Sequence, residues 1–116
     1  MDNLTYLSIG LNVGDREPDS QLARTLGICL SHFGAEIRSV SMGRSEWDGV
    51  PERFVQIGVI APNSRALYVA RILARVLSQE CIAVLPSGAT TWSLVYADGH
   101  HVTGGDVTEF PIISRE

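Results

Sequence analysis

The sequence predicts an α+β domain, and three observations carry the prediction. Apolar residues alternate with period two at residues 5–11 and 53–61, the signature of strands. They recur every three to four residues at 21–33 and 62–80, the signature of one-face-buried helices. Asp98-Gly99 then sits between two short β-prone runs, a two-residue hairpin signal. At 116 residues the chain is long enough for one core, so 1–116 is read as a single domain.

The first strand places Thr5, Leu7, Ile9 and Leu11 on one face and Tyr6, Ser8 and Gly10 on the other. Residues 12–20 are dense in breakers and caps and read as a loop, with Asp19 or Ser20 as N-cap of the next segment. In 21–33 the stripe Leu22, Leu26, Cys29, Leu30 and Phe33 is expected to be buried, with Gln21, Arg24, Thr25 and His32 outside it and Gly34 ending the helix. Residues 35–42 form a strand in which Ile37 and Val40 differ in parity, which calls for a bulge. Residues 43–52 read as a loop or hairpin tip.

Strand 53–61 is apolar on both faces: Val55, Ile57, Val59 and Ala61 on one, Phe54, Gly58 and Ile60 on the other. Such a strand is central or carries a second packing surface. Pro62 stops it, and Asn63 or Ser64 is the expected cap of a helix running to Glu80. Ser64, Tyr68, Arg71, Arg75, Ser78 and Gln79 share that helix's polar side, opposite a broad Ala, Val and Leu arc. Residues 81–85, 91–97 and 100–103 complete the strands, and 104–116 is an edge strand or tail, Pro111 favouring an edge.

The resulting order, βαββαβ with a C-terminal β extension, matches the ferredoxin-like arrangement: two helices on one face of a mainly antiparallel sheet. No run of 18 apolar residues exists and the start lacks the charge and apolar run of a signal peptide, so no membrane role and a cytoplasmic location are expected. The two cysteines, Cys29 and Cys81, lie in apolar runs and read as core thiols rather than a disulfide framework. A net charge of −4 argues against a nucleic-acid partner. All nine basic residues are Arg, a bias that codon usage explains as well as chemistry does.

The stretch Tyr6-Leu7-Ser8-Ile9-Gly10-Leu11-Asn12-Val13-Gly14-Asp15-Arg16 resembles the opening strand and turn of the pterin pyrophosphokinases of folate synthesis. The resemblance implies a nucleotide- or pterin-handling transferase with Gly10, Asn12, Gly14 and Asp15 at the ligand, because a Gly/Asn turn brings backbone N–H groups close to it. That family also uses a late-strand pair of acids for two Mg²⁺ ions. The corresponding stretch here, Trp92-Ser93-Leu94-Val95-Tyr96, has none, so no cofactor is expected. As a whole, the layout is also similar to small ferredoxin-like proteins of bacteria and their mobile elements.

Other residues suggest different chemistry. His100 and His101, with Asp98 and Asp106 nearby, are the candidate metal ligands, although neighbours on a strand point to opposite faces. Arg71 and Arg75, spaced i, i+4 beside Tyr68, suit a phosphate, an acidic partner or RNA. Trp47, in a charged stretch, and Trp92 are candidate interface anchors. No Gly-x-Ser-x-Gly, Walker or Cys-x-x-Cys motif is present. The leading expectation is therefore a non-catalytic binding module that self-associates or meets a protein partner, in one form a phage or mobile-element accessory protein acting on a host protein. An enzyme using the Gly10–Asp15 turn and a metal-binding domain are the alternatives.

Overall fold

The computed structural model describes residues 4–11, 17–47 and 49–103, and at 45–47 and 50 the backbone alone. The elements are β1 (Thr5–Gly10), α1 (Pro18–Phe33), a 3₁₀ turn (Gly34–Glu36), β2 (Ile37–Trp47), β3 (Val50–Val59), α2 (Asn63–Val76), β4 (Cys81–Leu85), β5 (Ser93–Tyr96) and β6 (His101–Thr103). They form one six-stranded sheet of order β2-β3-β1-β4-β5-β6, with every neighbouring pair antiparallel. The α+β class thus stands, with the extension supplying two further strands. Residues 104–116 lie outside the described residues. Among the described residues, no helix is long and apolar enough to cross a membrane.

β1 lies in the middle of the sheet and is buried on both faces. Leu7 and Ile9 join Val55, Ile57, Val59, Ile82 and Val84 beneath both helices. Each such fully buried side chain contributes roughly 1.5–3 kcal/mol relative to an exposed one. On the opposite face Tyr6, Ala83, Leu85 and Trp92 form a second cluster, with Leu4 and Leu94 packed against it. Gly58 leaves room there for Ser39 and Tyr6: a Cβ would stand 2.5 Å from Ser39 Oγ and 3.0 Å from a Tyr6 ring carbon, so both side chains would have to shift. Phe54 and Gln56 are buried beside it, so β3 does carry two packing surfaces.

The helices depart from the sequence expectation in instructive ways. α1 begins at Pro18, with Glu17 as cap residue and no side-chain cap bond, because proline's fixed φ suits the first helical position. Its buried residues are Gln21, Thr25, Cys29 and Phe33; Leu22 and Leu26 are only partly buried and Leu30 is 59% exposed. The helix is therefore rotated from the expected Leu22-Leu26-Leu30 stripe. Thr25 tolerates burial because its Oγ1 donates to the Gln21 carbonyl at 2.8 Å.

α2 buries Ala66, Val69, Ala70, Leu73 and Ala74 as expected, but ends at Val76 rather than Glu80. Ser78 adopts a left-handed φ of 54°, and the Gln79 N–H bonds the Ala74 carbonyl at 2.9 Å, closing the helix. Gln79 is thereby turned inward and buried, and Val76 is left 40% exposed, both against expectation. Asn63 does not cap α2 with its side chain. Its Oδ1 instead accepts from Thr5 Oγ1 at 3.3 Å and from the Ser87 N–H at 3.4 Å, tying the helix start to β1 and the β4–β5 loop.

The predicted irregularity in β2 is a register shift between Ile37 and Ser39, which lets Ile37 and Val40 share the helix-side face despite their parity. Residues 43–47 are not a loop. They extend β2 opposite 50–54 as a two-stranded ribbon that runs past the last β1 pair, Gly10↔Phe54.

Candidate functional site

The strand registers bring four distant residues to one end of the sheet. Gly10 closes β1, Glu52 lies on the incoming part of β3, Cys81 opens β4, and Tyr96 closes β5 opposite Cys81. By the alternation of each strand all four belong to the face away from the helices, the face of Tyr6, Ala83 and Leu94. Gln79, just past α2, fixes this corner: its Nε2 donates to the Gly10 carbonyl at 2.6 Å.

Charge here is held under mild strain. Burial pushes the half-buried Glu52 carboxyl above its ordinary range. The Cys81 thiol is pushed up to about 11 by burial, reinforced by the negative charges of Glu80 and Glu52. The Tyr96 hydroxyl is raised by Cys81 first, then by burial and Glu80. A thiol so placed stays protonated at neutral pH and is no nucleophile. Cys29, fully buried and pushed up to about 12, is equally inert.

The β5–β6 hairpin completes the corner. The Tyr96 and His100 rings are stacked, with centroids 4.3 Å apart and planes 7° from parallel. Asp98 Oδ1 accepts from the His100 backbone N–H at 2.9 Å and pairs with His100 Nδ1. These two bonds, the backbone one first, lower the Asp98 carboxyl. The corner therefore offers a half-buried carboxylate, a flat two-ring platform and a carbonyl already committed to Gln79. Those features suit a cation or a planar ring. At the other end of the sheet, an open pocket of about 460 Å³ is lined by Glu36, Ile60, Ala61, Pro62, Asn63 and Ser87.

The residues singled out in the sequence do not converge on one site. Gly10 is at the corner, while Asn12, Gly14 and Asp15 lie outside the described residues. His100 is engaged by Tyr96 and Asp98, and His101 sits on β6 opposite Val95. Among the described residues no group of three or more His, Cys, Asp or Glu is placed to hold a metal ion. Tyr68 is exposed and meets His32 edge-on at 6.1 Å, Arg75 is exposed, and Arg71 leans on Gly99. Trp92 is no surface anchor: at 2% exposure it belongs to the second buried cluster. Of Trp47 only the backbone is described, opposite Val50. Glu52, Gln79 and Tyr96 were not anticipated as site residues, and Cys81 only as a core thiol. The single hint was strand parity, useless until the strand order was known.

No protein-family model and no curated protein matches the chain. Among solved structures, a phage SAM lyase in its apo state is similar. The match has a TM-score of 0.56 at 20% sequence identity and covers 87% of this chain and 88% of that one. It shows a shared fold.

Proposed function

We propose that this chain is a phage-type protein that binds S-adenosylmethionine at the Gly10, Glu52, Cys81 and Tyr96 corner of its sheet, with lyase cleavage of that molecule as the activity to assay. The observation that carries the reading is the extent of the structural match, which spans nearly the whole of both chains. The order β2-β3-β1-β4, each helix crossing over one intervening strand, supports a ferredoxin-like design for that scaffold. S-adenosylmethionine carries a sulfonium cation and a planar adenine. A half-buried carboxylate such as Glu52 attracts the former, and the Tyr96–His100 platform suits either the cation or the ring.

Thermal shift and calorimetry with S-adenosylmethionine, S-adenosylhomocysteine and adenosine test the reading, with mass spectrometry of any product. S-adenosylmethionine should raise the melting temperature most. Glu52→Gln and Tyr96→Ala should each weaken its binding by about tenfold, the scale of one desolvated cation contact. If none of the three compounds binds, the reading is wrong.

A second reading, a non-catalytic module that pairs with a protein or with its own copy, has its own support. β2 is an outer strand of the sheet, and its Val40 and Met42 are 46% and 44% exposed. An exposed apolar edge strand is a template for pairing. Light scattering should then report an oligomer that Val40→Arg disperses. A monomer at all concentrations would remove this alternative.

A further inference from the structure

Arg71, on the polar edge of α2, is half-buried, and its guanidinium lies against the β5–β6 turn. A Cβ at Gly99 would stand 3.4 Å from Arg71 Cζ and Nε and 3.5 Å from Nη1, ordinary contact distances that place the guanidinium against the turn. Gly99 itself has a φ of +99°, a conformation L side chains rarely adopt, so the turn favours glycine on backbone grounds.

The turn gives the guanidinium a contact but leaves its Nε unmet. Arg71 Nε is buried and has no hydrogen-bond partner. Asp98, the carboxylate beside Gly99, is taken up by the His100 backbone N–H and ring. The Arg38–Glu36 and His100–Asp98 ion pairs do not include Arg71. A guanidinium carries five N–H donors, and leaving buried ones unmade is costly. A solvated arginine would swing its head outward into water; this one lies against the turn with its Nε covered. Arg75, one turn on and exposed, adds a second positive charge along the same edge.

We propose that Arg71 anchors an oxyanion-binding site between the edge of α2 and the β5–β6 turn, taking a phosphate or carboxylate group through its planar fork. The fork matches the two oxygens of such a group, and a turn of the head that uncovers Nε on binding would give it the acceptor it lacks. The site faces α2 across the Gly99 turn, beside the Tyr96–His100 platform, and its anion chemistry is tested independently of S-adenosylmethionine.

The test is NMR of the arginine Nε–Hε resonances of the full chain during titration with inorganic phosphate and, separately, acetate. Arg71→Lys, which keeps the charge and removes the fork, identifies the Arg71 signal by its loss. The expected result is a saturable shift of that signal ahead of the other arginines, with phosphate affinity about tenfold weaker in Arg71→Lys. Tighter phosphate than acetate assigns a phosphate ester, and the reverse assigns a carboxylate. An Arg71 signal that stays still, or that moves only in step with every exposed arginine, overturns the site. Adenosine added under the same conditions should leave the Arg71 signal unmoved, which separates this outcome from binding at the corner.

Discussion

The two helices lie side by side on one sheet face, yet they are built on opposite plans. α2 buries Ala66, Val69, Ala70, Leu73 and Ala74, all of them apolar. α1 buries Gln21 and Thr25 alongside Cys29 and Phe33, while Leu30 stands 59% exposed. The difference teaches that a helix's apolar stripe sets its orientation only when the stripe is broad. α2's arc spans about half its circumference, so any modest rotation still buries it. α1's apolar residues are spread more widely, and its phase is set by what the sheet and α2 leave room for. Arg24 reaching the Val76 carbonyl at 3.4 Å, and His32 meeting Tyr68, pin it to its neighbour.

The largest test of this contrast is Leu73→Ala. Leu73 is fully buried at the centre of the core cluster, and its truncation leaves a cavity under α2. The expected loss is about 2–5 kcal/mol in chemical denaturation. A loss under about 1 kcal/mol would mean that α2 does not pack as described.

The second test uses α1's buried thiol. Burial pushes Cys29 up to about 12 from an ordinary value of 9.0, so the folded chain keeps a proton that the unfolded chain releases. Between those values the folded state binds more protons, and stability falls as pH rises through the window. The denaturation midpoint should therefore drop as pH rises from about 9 towards about 12, and Cys29→Val should flatten that slope. An unchanged slope in the variant would locate the alkaline sensitivity elsewhere, Cys81 being the next group in order.

Much of the fold was readable before the structure. The alternation of 5–11 and 53–61, the arc of α2 and the run 81–85 each carry one strong local signal and each forms the element it predicts, β3 starting and ending earlier, at Val50–Val59. Asp98-Gly99 does mark the β5–β6 turn, but the pair Val95↔His101 makes that loop three residues, 97–99, and not two. What escaped depends on neighbours. Arg44, Ser45 and Glu46 look like loop because they are polar, but the backbone pairing of 44–46 with 51–53 makes them strand. Gln79 looked like the end of a polar stripe, and the chain turned it inward to meet Gly10. The candidate corner escaped for the same reason. Gly10, Glu52, Cys81 and Tyr96 are separated by 29 residues or more at two of their three intervals, and only the order β3-β1-β4-β5 makes them adjacent.

A smaller effect, of opposite sign, is expected at Gln21. Its side chain is 2% exposed and its Nε2 has no partner. Methionine has nearly the same shape without the unmet donor, so Gln21→Met should raise stability by about 1 kcal/mol. A destabilised variant would show that the amide is bonded in solution and that α1's polar face is specified rather than tolerated.

The smallest effects separate position from residue type most cleanly. Leu30 and Leu73 are the same side chain at similar depth along neighbouring helices, but one is 59% exposed and the other fully buried. Leu30→Gln exchanges residues of similar helix propensity, so nothing but lost packing can register, and the change should be under about 0.5 kcal/mol. Arg75→Ala, on the exposed side of α2, should fall in the same range. If Leu30→Gln instead approached the loss of Leu73→Ala, the apolar stripe Leu22-Leu26-Leu30 would be buried after all, and α1 would sit rotated from the phase described. A joint measurement of the two leucines by urea denaturation therefore decides whether the helices differ in plan or only in composition.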